Sequence, residues 1–336
     1  MTTVPQAWPA SGWVVDQHGR HKRKLRVSLT DRCNLRCVYC MPETPQWLPR
    51  ERILSRAELQ RIVQLFVARM GITQLRLTGG EPLLRKDLEA VVEDLSWLRE
   101  AGLERISLTS NGLLLAPRAK ALRDAGLDDL NVSLDALDPA VFAQLSGGRG
   151  DPAQVIAGIH AAREAGLAVK VNAVVMRSIN EHQILPLAHW ALTHEITLRL
   201  IEFMPLDDGG QWHRGRVFPA ADMLEMLGRS FRVQALPQGS DPARYYQLDG
   251  RGRIGIISTI SQPFCQRCDR LRLTASGELY NCLFSAQGLN LRTVLRSGVD
   301  DDRIEAQMRA QVWHKEAGYA QTGYVERPIS MHALGG

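Results

Sequence analysis

The chain has 336 residues, of which 45% are hydrophobic and 23% charged, which is typical of a globular protein with one large domain or two ordinary ones. No run approaches the roughly 20 apolar residues that a membrane-spanning helix requires, so we expect no contact with a membrane. The net charge of +5 fits a nucleic-acid binder, but equally an enzyme with a polyanionic ligand. The basic run at residues 21–24 is short and lacks interleaved aromatics, which favours a solvated face. Residues 1–20 contain no apolar run and are predicted to be a flexible leader rather than a signal peptide.

Strand-like and helix-like segments alternate through the first two thirds of the chain. Ser55 is a predicted N-cap with Glu58 three residues on, and glycines follow several helix-like segments at the C-cap position. This alternation predicts an α/β protein with a parallel sheet, either open or closed into a barrel. The predicted strands are residues 25–30, 72–78, 105–110, 129–134, 168–175 and 196–203, and the clearest helices are residues 55–70, 87–101 and 181–193.

Polar side chains recur at alternate positions of five successive strands, as Arg26 and Ser28 do in the first. A complete eight-stranded barrel has an apolar interior. The polar face therefore favours a wider, incomplete (β/α)6 barrel of the TIM type that holds a polar ligand. An open sheet with one solvated face is the alternative, but parallel sheets seldom face water.

After residue 206 the periodicity changes. Residues 207–216 read as a linker, followed by a short helix at residues 220–227 and strand-like runs at 231–236, 245–248 and 254–260. A hairpin is predicted from strands at residues 270–274 and 278–283. Helical segments at about 289–295 and 302–316 precede a tail that ends in Gly335 and Gly336.

All six cysteines fall in two triplets, Cys33, Cys37 and Cys40, and Cys265, Cys268 and Cys282. Each triplet offers three thiols and no fourth, a set that suits an iron–sulfur cluster with one iron open to another ligand. The first triplet follows the first strand and should lie at the C-terminal mouth of the sheet, where such folds keep their active sites. A structural zinc site built from one Cys-x2-Cys pair of each triplet is the alternative; it leaves Cys33 and Cys282 without a role.

Two further motifs accompany the cysteines. Gly79, Gly80, Glu81 and Pro82 follow the second strand, and the glycines allow the backbone to approach a ligand closely. The second triplet encloses Arg270 and Arg272, which share one face of a strand and could grip an oxyanion or a nucleobase edge.

The first triplet with Tyr39, together with the Gly-Gly-Glu-Pro segment, resembles the radical S-adenosylmethionine superfamily. The C-terminal cysteine spacing, the Cys-Asp-Arg-Leu-Arg segment from Cys268 to Arg272 and the terminal Gly-Gly are similar to the GTP 3′,8-cyclase family of molybdenum cofactor biosynthesis. The similarity runs from about Leu25 to Gly336. It implies a partial barrel at residues 21–205 and, at residues 206–336, an α+β extension that binds a second cluster and substrate.

The resemblance also implies roles for individual residues. Cys33, Cys37 and Cys40 match the ligands of a first 4Fe–4S cluster, and Cys265, Cys268 and Cys282 those of a second. S-adenosylmethionine contacts are implied for Tyr39, Gly79, Gly80, Glu81, Ser133 and Met204, with Asn111 as a further candidate. GTP contacts are implied for Arg26, Arg76, Thr109, Lys170, Arg270 and Arg272. The tail glycines Gly335 and Gly336 are expected to reach into the site.

The implied reaction is a radical cyclisation. Reductive cleavage of S-adenosylmethionine gives a 5′-deoxyadenosyl radical that takes hydrogen from C3′ of GTP, and C3′ then bonds to C8 of guanine. The implied partners are GTP, an external electron donor and a downstream cyclic pyranopterin monophosphate synthase that receives the product. We expect a cytoplasmic monomer or homodimer that binds no nucleic acid. A radical enzyme with another substrate, and a zinc or nucleic-acid-binding protein, are the rival interpretations.

Overall fold

The structure is a computed structural model and describes residues 12–42, 44–206, 210–239, 241–319 and 330–335. Its centre is a mixed sheet of twelve strands. Six successive parallel strands form the middle of this sheet, each hydrogen-bonded to the next one along the chain. They are β1 (Lys24–Ser28), β2 (Gln74–Thr78), β3 (Arg105–Ser110), β4 (Asp129–Ser133), β5 (Ala168–Val175) and β6 (Thr197–Glu202). The predicted α/β architecture with parallel strands of the TIM type is confirmed.

Helices follow the strands as predicted. They are α1 (Arg56–Ala68), α2 (Leu88–Ser96), α3 (Ala119–Asp124), α4 (Pro139–Ser146), α5 (Pro152–Glu164) and α6 (Ile184–Thr193). Ser55 caps α1: its hydroxyl accepts from the N–H of Glu58 at 3.2 Å, and the Glu58 carboxylate accepts from the N–H of Ser55 at 2.8 Å.

The helix predicted at residues 87–101 is instead α2 followed by a 3₁₀ turn, Trp97–Ala101. The Ser96 hydroxyl donates to the carbonyl of Glu93 at 2.7 Å, a local bond that competes with regular helix geometry. Gly102 then ends the segment at φ +107°, in the left-handed region that glycine tolerates. The helix predicted at residues 181–193 likewise divides into a 3₁₀ turn, Glu181–Gln183, and α6.

The two faces of the central strands differ as the alternation predicts. Leu25, Val27, Leu75 and Leu77 are at most 1% exposed and belong to the hydrophobic core that the helices cover. Arg26 and the residues that share its face point to the opposite side, where a cavity opens. Burial of the apolar face is what fixes the register, because a one-residue slip would exchange the two faces.

Residues after 206 add strands to both edges of the same sheet. The elements are α7 (Ala220–Gly228), β7 (Val233–Ala235), β8 (Arg244–Leu248), β9 (Gly252–Ile257), β10 (Arg270–Leu273), β11 (Glu278–Tyr280), β12 (Leu289–Asn290), α8 (Leu291–Arg296), α9 (Asp301–Trp313) and α10 (Met331–Leu334). Strand β9 pairs in parallel with β6, and β10 pairs in parallel with β1. The two predicted regions of the chain therefore share one sheet.

Part of the predicted flexible leader is packed. Val14 is fully buried and its N–H donates to the carbonyl of Met70 at 2.9 Å, while Val15 forms a β-bridge with His21. The leader interpretation is thus wrong for residues 12–20, and residues 1–11 lie outside the described part. No helix among the described residues is long and apolar enough to cross a membrane.

Candidate active site

One cavity of about 450 Å³ lies on the polar face of the sheet. Both cysteine triplets line it, although they are more than 200 residues apart in the sequence. The other predicted site residues that line it are Arg26, Tyr39, Arg76, Gly79, Gly80, Glu81, Thr109, Asn111, Ser133, Lys170, Met204, Arg270 and Arg272. The structure therefore brings nearly all of the predicted residues together around a single space.

The Gly-Gly-Glu-Pro turn packs closely against the first cysteine loop. The N–H of Gly80 donates to the carbonyl of Thr30, and that of Glu81 to the carbonyl of Arg32, each at 2.7 Å. A Cβ on Gly80 would lie 2.3 Å from the Arg32 carbonyl oxygen, which no real contact allows. Glycine is required at this position by the close approach of two loops.

Glu81 joins the turn after β2 to the end of β3. Its buried carboxylate accepts hydrogen bonds from the N–H of Leu83 at 3.0 Å, the hydroxyl of Ser110 at 2.8 Å and the N–H of Asn111 at 2.7 Å. Burial raises its pKa to about 7 against the opposing effect of these donors. Because all three bonds are to the protein, the carboxylate fixes the loops that surround the first triplet.

The first triplet lies in an environment with few positive charges. Burial raises the pKa of Cys33 to about 11, and burial together with Asp135 raises the pKa of Cys37 and Cys40 further. The Nδ2 group of Asn111 lies 3.8 Å from the Cys33 sulfur, and the N–H of Leu35 donates to that sulfur at 3.4 Å. Such buried thiols ionise when a metal centre supplies the compensating charge.

Asp135 lines the cavity, as its position on the polar face predicts, although the sequence indicated no role for it. The Tyr39 hydroxyl donates to its Oδ2 at 2.6 Å, and the N–H of Val174 donates to its Oδ1 at 2.8 Å. These bonds hold the Tyr39 ring beside Cys40. Burial raises the pKa of Asp135 to about 6. Its place two residues after Ser133, at the same parity, was the available signal.

Cys268 of the second triplet has the opposite electrostatic surroundings. Burial opposes ionisation of Cys268, but Arg270, Lys315 and Lys22 outweigh it and lower the pKa of that thiol to about 6. The Arg270 guanidinium also lies over the ring of Phe264, 4.9 Å from its centroid. The cysteines flank the predicted hairpin, now observed as β10 and β11, with Cys282 just after it.

Three arginines stand side by side across adjacent strands. Arg26 is in register with Arg272 on one side and with Arg76 on the other. Burial, Arg272 and Arg76 lower the pKa of Arg26 well below its usual range. The Nη1 atom of Arg76 is buried and makes no hydrogen bond to any described residue. A row of three positive side chains that face a cavity is suited to an anion with several charges.

Arg199 on β6 is a residue that sequence reasoning missed. Its guanidinium lines the cavity and donates to the side chains of Asn172, at 2.9 Å, and Asn131. Asn172 and Arg199 are in register on neighbouring strands, so the polar parity recognised in five strands continues into the sixth. That continuation was a usable signal.

The C-terminal tail reaches the strand ends. The carbonyl of Gly335 accepts a hydrogen bond from Nη1 of Arg272 at 2.7 Å. Gly335 has φ +77°, and a Cβ there would lie 2.7 Å from Cγ2 of Thr78. Both facts require glycine at this position. Gly336 lies outside the described residues.

The donor sets fit iron–sulfur clusters better than zinc. No three His, Cys, Asp or Glu side chains in the described part of the chain are grouped to hold one metal ion. In a 4Fe–4S cluster each cysteine thiolate binds a different iron, so the sulfur atoms need not surround one metal ion. All six cysteines are free thiols that line the cavity, and the thiols of the first triplet have no neighbouring cation strong enough to ionise them.

Comparison with family models matches residues 27–191 to the radical SAM superfamily and residues 196–321 to Molybdenum Cofactor Synthesis C. A protein of Mycobacterium bovis named GTP 3′,8-cyclase 2 is 46% identical over 343 aligned positions, covering 99% of this chain and 94% of its own. A GTP 3′,8-cyclase of Mycolicibacterium smegmatis is 45% identical over 98% of this chain and 93% of its own.

Solved structures show the same fold at much lower identity. Streptococcus suis SuiB bound to the precursor peptide SuiA has a TM-score of 0.61 and 15% identity, covering 87% of this chain and 68% of SuiB. SuiB bound to S-adenosylmethionine has a TM-score of 0.58. The near full-length identity to the mycobacterial relatives shows that the chain belongs to the GTP 3′,8-cyclase family of the radical SAM superfamily.

Proposed function

We propose that this chain converts GTP to (8S)-3′,8-cyclo-7,8-dihydroguanosine 5′-triphosphate, the first step of molybdenum cofactor biosynthesis. The observation that carries the proposal is the shared cavity, in which two cysteine triplets and a row of arginines face one another. The relatives named GTP 3′,8-cyclase support the same reaction.

The architecture belongs to the proposal as well. Strands β1–β6 with their helices make an incomplete (β/α)6 barrel, and the C-terminal region carries a second cluster. The parallel pairing of β10 with β1 supports this arrangement because it sets Arg270 and Arg272 in register with Lys24 and Arg26. The barrel would thus be widened at this edge by the strand that begins beside Cys268.

The cofactors are assigned to the cavity that both cysteine triplets line. Cys33, Cys37 and Cys40 would hold the first 4Fe–4S cluster, and Cys265, Cys268 and Cys282 the second. S-adenosylmethionine would lie against Tyr39, Gly79, Gly80, Ser133 and Met204, with Glu81 and Asn111 fixing the loops around it. When bound, the first cluster and S-adenosylmethionine supply a one-electron hydrogen abstraction.

The protein's own contribution is to position GTP. A triphosphate carries about four negative charges, which Arg26, Arg76, Lys170, Arg270 and Arg272 would balance. The Nη1 atom of Arg76, which makes no hydrogen bond to any described residue, would gain an acceptor in such an anion. Thr109 would contact the nucleoside. Gly335 holds Arg272, and so couples the tail to the substrate side of the cavity.

A direct test is reconstitution of the chain without oxygen, followed by addition of a reductant, S-adenosylmethionine and GTP. We expect 5′-deoxyadenosine and the cyclised nucleotide in equal amounts. Formation of 5′-deoxyadenosine with another nucleotide but not with GTP would assign a different substrate. A colourless protein that contains zinc and no iron would refute the cluster proposal. An external electron donor and hand-off to a cyclic pyranopterin monophosphate synthase follow from the proposed reaction.

A further inference from the structure

Three cations, of which Lys22 and Lys315 are buried, each contact a different segment of the second cysteine triplet. Nη1 of Arg20 donates to the carbonyl of Cys265 at 2.8 Å, and Nζ of Lys22 donates to the carbonyl of Cys268 at 2.8 Å. Nζ of Lys315 donates to the carbonyl of Asn281, the residue before Cys282. Each cysteine or its neighbour is thus held through its backbone by a separate positive side chain.

Arg20 makes the most contacts of the three. Besides Cys265, its Nη1 donates to the carbonyl of Ala317 at 2.8 Å, and its Nη2 to that of Glu316 at 2.6 Å. Its Nε donates to Oδ2 of Asp16 at 2.6 Å. The residue therefore joins the N-terminal segment, the segment after α9 and the first cysteine of the triplet.

The charges of this group do not balance. Lys22 is fully buried and pairs with Asp16 at 2.6 Å, the same carboxylate that Arg20 uses. Lys315 is 2% exposed and lies within 4 Å of no carboxylate among the described residues. Buried charges without partners are costly. One carboxylate for three cations leaves a positive excess beside thiols that become anionic in a cluster.

We propose that Arg20, Lys22 and Lys315 form a cationic bracket, whose members are positioning residues for the second cluster. The bracket holds the three ligand segments in the geometry that the cluster requires, and its excess positive charge stabilises the cluster's more reduced form. This inference rests on the proposed function, because it needs a second cluster at Cys265, Cys268 and Cys282. It assigns a role to residues 16–22, which the sequence reasoning had placed at the edge of a flexible leader and a solvated basic run.

The first test is retention of iron. The parent, Arg20→Gln, Lys22→Met and Lys315→Met are reconstituted without oxygen and then exposed to a chelator. We expect the parent to keep about eight irons per chain and the variants to fall quickly to about four, since one 4Fe–4S cluster is lost. Arg23→Gln is the matched control, because Arg23 is exposed and adjacent to Lys22; it should behave as the parent does.

The second test separates the effect of the Lys22 charge from its role in holding the cysteine backbone. Lys22→Gln keeps a hydrogen-bond donor and loses the charge, and therefore it should retain the second cluster. At a fixed applied potential, its ratio of reduced to oxidised second cluster should fall about tenfold, which is a shift of about 59 mV for one electron. The first cluster, monitored by its response to S-adenosylmethionine, should be unchanged. A purely structural role would leave the potential of both clusters as in the parent.

The outcomes distinguish this inference from the function on which it rests. If the parent holds about four irons and Cys268→Ala does not lower that number, there is no second cluster and both proposals fail. If the parent holds about eight and every bracket variant keeps them at the parent's potential, only the bracket is overturned. Should the methionine variants lose both clusters through misfolding, the potential measured for Lys22→Gln decides.

Discussion

The two cysteine triplets face one cavity but are held in place differently. The first has local support: the N–H of Cys40 donates to the carbonyl of Cys37 at 3.0 Å, and Arg36 donates to the carbonyl of Cys33 at 2.9 Å. The second is held by Arg20 and Lys22, which are 245 and 246 residues away in the sequence. The second triplet also has a local bond, from the N–H of Cys268 to the carbonyl of Cys265 at 3.2 Å, and the first loop also has distant ones, such as that from the N–H of Arg36 to the carbonyl of Ser146 at 3.0 Å. What distinguishes the second triplet is that cations of the N-terminal segment hold its backbone.

Their electrostatic surroundings are also opposite. Burial near Asp135 and Glu81 raises the pKa of the thiols of the first triplet, whereas Arg270, Lys315 and Lys22 lower that of Cys268. A negative surrounding disfavours an extra electron on a cluster and a positive one favours it. The negative surroundings of the first triplet suit a cluster that gives up an electron readily. The positive surroundings of Cys268 suit a cluster that binds an electron-rich substrate.

Replacing single cysteines should separate the two roles, with the largest effect of all. Cys37→Ser is expected to reduce formation of 5′-deoxyadenosine to background because the first cluster cannot form. Cys268→Ser should still cleave S-adenosylmethionine but yield no cyclised nucleotide. Quantifying both products from each variant checks this. Equal loss of both products in the two variants would contradict a division of labour.

Arg270 and Arg272 test the substrate side of the comparison. Replacement of either by Ala should raise KM for GTP about 10- to 100-fold, because a hydrogen bond to a charged group contributes about 1.5–3 kcal/mol. Arg267→Ala is the matched control, since Arg267 lies in the same loop and is exposed. Binding of S-adenosylmethionine should not change in any of the three. Normal GTP binding by the double variant Arg270→Ala, Arg272→Ala would show that the substrate lies elsewhere.

Gly335 tests whether the tail belongs to the substrate side. Gly335→Ala should lower cyclisation by about tenfold, since it displaces the carbonyl that Arg272 binds and costs about 1–2 kcal/mol of backbone strain. Gly298 also has φ +77° but has open space around it, so Gly298→Ala carries the same strain without the clash. The two variants are compared by product ratio and by melting temperature. A residue appended after Gly336 should likewise abolish cyclisation and spare cluster content.

Replacing Arg76 should have smaller effects, of opposite sign on protein stability and on GTP binding. Arg76→Met removes a buried donor, Nη1, that has no partner among the described residues, and it should stabilise the ligand-free protein by about 1–3 kcal/mol. The same change should weaken GTP binding. Unfolding with denaturant and a GTP titration measure the two effects. A loss of stability without GTP would show that Arg76 supports the fold rather than the ligand.

Structural features that depend on residues close together in the sequence were predictable. The six central strands, the Ser55 cap and the polar face that carries Arg26 and Arg76 follow from periods of 2 and 3.6 residues and from local capping chemistry. Helix ends were less predictable, as the 3₁₀ turn at Trp97–Ala101 shows, which follows a local hydroxyl bond from Ser96 to the carbonyl of Glu93.

Contacts between distant segments were not predictable. The pairing of β10 with β1 joins strands whose sequences contain no signal for each other, yet it aligns Arg272 with Arg26. Lys22 belongs to a basic run that reads as solvated, and only the fold shows that it is buried against Cys268. Arg199 is different, because its parity on the sixth strand was visible and was not followed.

We propose that chemistry begun at the first triplet acts on GTP held at the second. GTP deuterated at C3′ tests this most directly, with the reconstituted enzyme, a reductant and S-adenosylmethionine. We predict that the deuterium appears in 5′-deoxyadenosine, with one cyclised nucleotide formed for each labelled molecule. Unlabelled 5′-deoxyadenosine, formed while GTP keeps its deuterium, would contradict the claim.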